Sequence, residues 1–114
     1  MTINFDDFTK VELQIGKIIE AEKVVDSEKL LKLKVDLGEI SAEGEKTLRQ
    51  ILAGIGKSYS PENLIGKEAL FVTNLESRMI MGLESQGMIL AASDENGPII
   101  MTPDREVNPG ANLH

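Results

Sequence analysis

The stretch VELQIGKIIEAEKVVDSEKLLKLKVDL, residues 11–37, contains two segments in which apolar side chains occupy every second position. The apolar positions of these segments are Val11, Leu13, Ile15, Leu31, Leu33, Val35 and Leu37. A period of two is typical of β-strands that are buried on one face only. Gly16 follows the first segment and allows a bulge or bend before KIIEAEKV continues the strand. The stretch therefore predicts two half-buried strands.

The rest of the chain contains further short strands. They are predicted at TLRQILAGI (47–55), EALFV (68–72), GMILAA (87–92) and PIIM (98–101). The first follows a polar hairpin turn, GEISAEGEK, whereas EALFV and GMILAA are continuous apolar runs, which are typical of strands covered on both faces. Because Phe71 lies inside one of these runs, we expect it to be a core residue.

Two segments carry helix and turn signals. In YSPENLIG, Ser60 is a candidate N-cap, Pro61 suits the first helical position and Gly66 suits the end, which predicts one or two helical turns. NPGA, residues 108–111, suits a type II turn with Pro109 and Gly110 at its centre.

This order of elements predicts the fold class. Alternating strands, a short helix and further strands within 114 residues are typical of a small all-β Greek-key barrel, and the five-stranded OB-fold is the usual one of this size. We find no internal repeat and no linker, so residues 1–114 are predicted to form one domain. The barrel is expected over about residues 6–102, followed by a C-terminal extension over residues 103–114.

The composition excludes several kinds of site. The chain has no Cys and a single His, His114, so it offers no Cys-based zinc site, no thiol nucleophile and no Ser-His-Asp relay. We predict no catalytic residues, no metal and no cofactor, and no Gly-rich phosphate-binding loop is present. No apolar run approaches the roughly 20 residues that span a bilayer, and the first residues are acidic. A soluble, cytoplasmic protein without membrane contact is expected.

The charge is unevenly distributed along the chain. A net charge of −7 disfavours nucleic acid as a partner, because binding to the phosphate backbone requires Lys and Arg. However, residues 10–57 hold nine basic and nine acidic side chains, whereas residues 58–114 hold three and eight. Lys29, Lys32 and Lys34 are close together in the basic half, and the last two leave the same face of a strand. They form either a binding surface or an ordinary solvated face.

The polar triplet Ser85-Gln86-Gly87 directly precedes an apolar run and allows two interpretations. The polar side chains could lie at a rim and face a ligand, or they could satisfy loop backbone groups, with Gly87 at a bulge.

Aromatic residues are scarce, which limits the mode of RNA binding. They are Phe5, Phe8, Tyr59 and Phe71. OB-folds that hold single strands stack bases on aromatic rings, so a stacking platform is disfavoured here. A folded RNA read by its shape and backbone fits this composition better.

Several segments together resemble a known family. They are KVELQIGKIIEAE, KLLKLKVDLG, RQILAGIGKSYSPENLIGK, VTNLESRMIMGLESQGMILAAS and PDREVNPGANL. In one register from about residue 6 to 113, they are similar to the tRNA-binding domain at the C-terminus of bacterial and archaeal methionyl-tRNA synthetases. The same domain occurs as a free-standing structure-specific tRNA-binding protein and in the endothelial monocyte-activating polypeptide. The resemblance implies an OB-fold, a homodimer, binding to the outer corner of tRNA with little choice of isoacceptor, and a role alongside a methionyl-tRNA synthetase catalytic domain in cis or in trans.

The resemblance also implies a set of tRNA-binding positions. Together with Lys32 and Lys34 on the strand face, they are Lys29, Arg49, Gln50, Asn74, Arg78, Ser85, Gln86 and Met88. Other positions depart from the family, which usually has Arg at Gln14, His-Pro at Val24-Val25, Lys-Pro at Glu76-Ser77 and a basic residue at Met79. Each missing phosphate contact lowers the log–log salt slope by about 0.7–0.9, so we expect weak binding, suited to a dimerising or tethered module.

The C-terminal extension is the predicted dimer interface. Its candidate residues are Val107, Pro109, Ala111 and Leu113, placed among turn residues in TPDREVNPGANL. The alternative is that they cover the open end of their own barrel. A second alternative concerns function: a secretion chaperone shares this fold and dimer and binds protein, although it lacks a strand of the SQGMIL type.

Overall fold

The structure is a computed structural model that describes residues 1–114. It contains one α-helix, α1 (Phe5–Thr9), one 3-10 helix (Pro61–Asn63) and nine strands. The strands are β1 (Leu13–Lys23), β2 (Leu31–Asp36), β3 (Arg49–Ala53), β4 (Glu68–Val72), β5 (Arg78–Ile80), β6 (Leu83–Ser85), β7 (Met88–Ile89), β8 (Ala91–Asp94) and β9 (Gly97–Ile100). Both helices are far shorter than the roughly 20 residues that a membrane-spanning helix needs.

Five strands form one antiparallel sheet in the order β3-β2-β1-β4-β7. This sheet curls into a nearly closed barrel, and the remaining strands form two hairpins, β5–β6 and β8–β9. The predicted OB-fold, a five-stranded barrel with a short helix and a C-terminal extension, is confirmed.

Strand β1 lies at the centre of the sheet and pairs with two neighbouring strands. Residues 13–17 pair with β4, whereas residues 17–23 pair with β2. The irregularity expected at Gly16 lies instead between Ile18 and Glu20, where the register shifts. Gly16 is required for packing, since a Cβ there would lie 2.5 Å from the Cγ1 atom of Val35.

Most of the core consists of side chains from the inner faces of the barrel strands, and Leu37, Ile55, Leu64 and Ile100 complete it. Phe71 is fully buried, as predicted, and the alternation of β2 is confirmed, with Leu31, Leu33 and Val35 buried. Each such side chain contributes about 1.5–3 kcal/mol on burial. Lys32 and Lys34 therefore lie on the outer face of the same strand.

Two predicted elements differ from the structure. GMILAA is not one strand covered on both faces, because β7 ends at Ile89 and the chain then leaves β4 to pair with β9, so that all four residues of β8 are exposed. The predicted helix is a 3-10 helix that begins at Pro61. Ser60 caps no backbone N–H there, and its Oγ atom instead accepts a hydrogen bond from Asn63 at 2.9 Å.

The C-terminal extension lies along β1 of its own barrel. The Ala111 N–H donates to the Asn108 carbonyl at 3.0 Å and Gly110 has a φ of 91°, which together form the predicted type II turn. Beyond this turn, the Ile15 N–H donates to the Ala111 carbonyl and the Leu113 N–H donates to the Leu13 carbonyl, both at 2.9 Å. The extension thus pairs with the edge of β1.

Candidate nucleic-acid interface

The outer face of β2 carries lysines that are opposed by carboxylates from β1. Lys32 lies opposite Glu22 and Lys34 lies opposite Glu20 in the strand register. The Nζ atom of Lys32 is 2.6 Å from Oε1 of Glu22, whereas Nζ of Lys34 donates to the Gln50 side-chain oxygen at 3.0 Å. This lysine face (Lys32 and Lys34) is therefore nearly neutral as a whole.

The ion pair also fixes the charge of Glu22. The hydrogen bond from Lys32, assisted by the attraction of its charge, lowers the pKa of this carboxyl below its ordinary value. Glu22 therefore stays ionised at neutral and mildly acidic pH.

Lys29 differs from the two lysines of the strand. It lies in the β1–β2 loop, its side chain is exposed, and it forms no ion pair in this structure. Its carbonyl accepts a hydrogen bond from the Gly56 N–H at 2.7 Å, which fixes the loop against the end of β3. A charged side chain on a fixed loop is well placed to contact a phosphate.

The polar triplet closes the barrel against β3. The Gln86 N–H donates to the Gln50 carbonyl at 2.8 Å, and the Gln50 N–H donates to Oε1 of Gln86 at 2.9 Å. The Leu52 N–H donates to Oγ of the buried Ser85 at 3.0 Å. Side-chain oxygens here take the place of the carbonyls of a neighbouring strand. We name this contact, formed by residues 50–52 and 85–87, the barrel seam.

Arg49 holds the barrel seam together. Its Nε and Nη2 atoms donate to the two carboxylate oxygens of Glu39 at 3.0 and 2.7 Å. Its Nη1 atom donates to the carbonyls of Thr73 and Gln86. A guanidinium has five N–H donors, so most of its capacity is used inside the protein.

The remaining predicted positions differ in accessibility. The amide of Asn74 bonds to backbone groups of the segment before β1, accepting from the Glu12 N–H at 2.8 Å and donating to the Lys10 carbonyl at 2.6 Å. Arg78 begins β5 and is exposed, and Met88 begins β7 and is 44% exposed. These two side chains are free to contact a partner.

A partly apolar cleft of about 280 Å³ lies next to the lysine face. It separates the β1–β2 loop from the β5–β6 hairpin, and its lining residues are Glu22, Lys23, Val24, Val25, Lys32, Met81 and Leu83. The hairpin turns through Met81 and Gly82, both with positive φ, which is the geometry of a type I′ turn. OB-folds bind their ligands on a strand face and in the adjoining loops, which is where this cleft lies.

A larger cleft of about 470 Å³ lies under the C-terminal extension. Its charged lining residues are Lys17, Lys67, Glu68, Asp104, Arg105 and Glu106. Because basic and acidic side chains are equal in number there, it offers no net attraction to phosphate. The smaller cleft beside Lys32 is the better candidate.

A comparison with protein families matches residues 13–112 to the family described as "Putative tRNA binding domain". The match covers all nine strands and the turn of the extension.

The chain belongs to this tRNA-binding domain family.

Relatives of this tRNA-binding domain include parts of much longer proteins. A methionine–tRNA ligase of Caldanaerobacter subterraneus subsp. tengcongensis is 47% identical over 111 residues, which are 97% of this chain and 16% of the ligase. The chain thus spans about 16% of the length of that relative.

Two solved structures have the same fold as the tRNA-binding domain over its whole length. A MetRS related protein from Pyrococcus horikoshii superposes with a TM-score of 0.88 and 35% identity, covering 100% of this chain and 99% of that one. The chaperone CsaA of Bacillus anthracis str. Ames superposes with a TM-score of 0.85 and 27% identity, covering 100% of both chains.

An apolar surface at the N-terminus of the domain was not predicted from the sequence. Ile3, Phe5, Phe8 and Val11 are all exposed around α1, and the two phenyl rings are 6.3 Å apart. The sequence signal for α1 is short, since it consists of an N-cap residue, Asn4, followed by two phenylalanines three positions apart. In the structure, the Asn4 side chain caps the helix by accepting a hydrogen bond from the Asp7 N–H at 2.8 Å.

Proposed function

We propose that the domain is the tRNA-binding and dimerisation module of, or accessory to, a methionyl-tRNA synthetase, and that it binds folded tRNA by shape and backbone with little sequence specificity. The observation that carries this proposal is the family match over residues 13–112. The 47% identity to a methionine–tRNA ligase supports the link to this synthetase. Because the chain spans only part of that ligase, its task is binding alongside a catalytic domain in cis or in trans.

The proposed RNA-binding surface combines the β1–β2 loop, the lysine face and the neighbouring cleft. Lys29, Lys32, Lys34 and Arg78 supply the positive charge, and Lys32 belongs to both the lysine face and the cleft lining. Contacts from such residues to phosphates position a folded RNA without reading its sequence.

Aromatic stacking has little part in this proposal. Phe71 is buried, the Tyr59 hydroxyl accepts a hydrogen bond from the Ile100 N–H at 3.1 Å, and the other two aromatic residues lie at the N-terminus. Recognition by shape and phosphate contacts fits this arrangement.

We assign different roles to the positions implied by the family resemblance. Arg49, Ser85, Gln86 and Asn74 use their polar atoms within the protein, so they act by holding the binding surface in place. Gln50 links these supporting residues to the lysine face. Its side-chain oxygen accepts a hydrogen bond from Lys34 at 3.0 Å, and its side-chain N–H donates to the Glu84 carbonyl at 2.9 Å. Exposed Met88 contacts RNA from the rim of the barrel seam.

The dimer interface is proposed to include the N-terminal helix as well as the extension. Val107, Pro109 and Ala111 are half-buried by their own barrel, whereas Leu113 remains exposed beside β1. Together with the exposed apolar residues of α1, this gives a surface that a second copy would cover by two-fold symmetry. A stable dimer requires roughly 1,000 Å² or more of buried area.

A second candidate function is protein binding. It is favoured by the similarity to the chaperone CsaA, at a TM-score of 0.85 over the full length of both chains. The cleft beside the β5–β6 hairpin, with apolar Val24, Val25, Met81 and Leu83, would then take a segment of an unfolded chain.

Titrations with three ligands separate the two candidates. The ligands are folded tRNA, single-stranded RNA of equal length and an unfolded polypeptide. We expect the tightest binding for folded tRNA, and binding should weaken steeply as salt rises, because phosphate contacts release counterions. Preference for the polypeptide, or equal binding of both RNAs without a response to salt, would contradict the proposal.

A further inference from the structure

We propose that Glu22 limits the affinity of the domain for RNA, because its carboxylate occupies Lys32 in competition with an RNA phosphate. This inference rests on the proposed function, and it concerns one residue that sets the affinity of the domain for RNA. Glu22 lies within the segment KVELQIGKIIEAE that carries the family resemblance, but it is not among the predicted binding positions.

The geometry of the sheet places carboxylates within the proposed phosphate path. Glu20 and Glu22 repeat with a period of two on β1, as Lys32 and Lys34 do on β2, and the register sets the two pairs side by side. Neighbouring strands are about 4.8 Å apart, so a phosphate that reaches these lysines lies close to both carboxylates. The 2.6 Å contact between Lys32 and Glu22 already has the length of a charge-assisted hydrogen bond.

The basic residues of the surface therefore differ in how freely they can bind phosphate. Lys29 has no charged partner, and Lys34 is held by the neutral amide of Gln50, which a phosphate displaces without separating two charges. Lys32 must first give up the Glu22 carboxylate, whose side chain is 63% exposed and free to turn away. The competition is strongest at Lys32.

The ionisation of Glu22 keeps this competition active under ordinary conditions. Because the contact with Lys32 lowers the pKa of Glu22, mild acidification does not release the lysine. The domain alone would thus be a weak binder, and it would act effectively where attachment to a synthetase or to a second copy raises the local concentration of the site.

The test compares Glu22→Gln with the parent protein in titrations of folded tRNA at several salt concentrations. We expect about fivefold tighter binding, since one exposed ion pair no longer opposes the complex. Release of Lys32 should also add a phosphate contact, so the slope of log affinity against log salt should steepen by about 0.7–0.9.

Two further variants separate a local effect from a general change of charge. Glu95→Gln removes one charge at the exposed β8–β9 turn, and it should change the affinity less than twofold. In the Lys32→Met background, Glu22→Gln should lose most of its gain, because no lysine remains to be released. Equal thermal unfolding of Glu22→Gln and the parent verifies that the fold is unchanged.

Each outcome bears on a different proposal. If the parent binds tRNA and Glu22→Gln binds with the same affinity and salt slope, this inference is wrong and the proposed function stands. If neither protein binds tRNA at any salt concentration, both are wrong. A gain that persists in the Lys32→Met background would show that Glu22 acts by general repulsion, which contradicts the competition described here.

Discussion

Gln86 and Gln50 are joined by two hydrogen bonds, one from each backbone N–H, and the acceptor of one of them is the Gln86 side chain. A side-chain amide thus completes a pairing between β3 and the segment before β7 that would otherwise lack one acceptor.

Gln86→Ala should lower the free energy of unfolding by about 1–2 kcal/mol, because the Gln50 N–H loses its acceptor in a half-buried position. Urea unfolding measures this loss. Gln86→Glu keeps an oxygen in the same place and should recover most of it. Gln14→Ala is the matched control, since the Gln14 side chain donates to the Gly110 carbonyl at 3.1 Å and takes no part in the seam. A larger loss for Gln14→Ala would contradict our account of the seam.

Lys29→Ala should weaken binding of folded tRNA by about 1 kcal/mol, roughly fivefold, and leave the Tm unchanged, because the exposed side chain has no partner in the protein. Arg49→Ala should instead lower the stability by several kcal/mol, since it breaks the paired contacts to Glu39 and frees the carbonyls of the seam. Tm values and tRNA titrations on both variants test this division of roles. A stable Arg49→Ala protein with a selective loss of tRNA binding would reverse it.

Stability should fall in acid because of Asp36. Burial raises the pKa of this carboxyl. The hydrogen bond from the Gly38 N–H at 2.8 Å and the contact with Lys46 at 3.1 Å together outweigh this effect, so the pKa of Asp36 lies below its ordinary value of 3.8. A folded-state pKa below the unfolded value stabilises the protein above the unfolded pKa. This stabilisation is lost as the pH falls from about 4 through the folded pKa.

Urea midpoints between pH 6 and pH 2.5 measure this loss. Asp36→Asn should show a flatter dependence below pH 4, and Lys46→Gln should move the loss to higher pH, because the carboxyl would then bind a proton more readily. An unchanged profile in both variants would rule out Asp36 as the source.

The double substitution Phe5→Ser and Phe8→Ser should convert a dimer to a monomer at tens of micromolar, since it removes the largest apolar side chains of the proposed interface. Sedimentation equilibrium gives the molecular mass. Val25→Ser is the control, because Val25 is 82% exposed on the β1–β2 loop, away from α1, and should leave the dimer intact. A parent protein that is already a monomer would show that the proposed interface does not form.

The sequence alone predicts the strands that obey a simple period. The alternation in β2 places Lys32 and Lys34 outward, the apolar run of β4 buries Phe71, and the Pro-Gly pair of the extension forms its turn as expected. These features depend on local patterns, because the spacing of apolar and polar residues along a short segment is enough to predict which side chains are buried.

The barrel seam and the glutamate–lysine pairs could not be predicted in this way. The seam joins Gln50 to Gln86, 36 positions apart, and only the closed barrel brings them together. The pairing of Glu22 with Lys32 depends on where the register of β1 shifts, and that shift lies at Ile18–Glu20 rather than at Gly16. The helix α1 has only five residues, too few to leave a periodic pattern.

The pairing of the extension with β1 also has a consequence for how the barrel is assembled. Gln14 and Gly110 are 96 positions apart, yet they are bonded side by side, and Leu13 and Leu113 are neighbours in the same way. Contacts between such distant parts of a chain form slowly, so the edge of β1 stays open during synthesis until residues 110–113 leave the ribosome. In the finished fold, the adjacency of these two segments is the arrangement that tolerates circular permutation and insertion into a host protein.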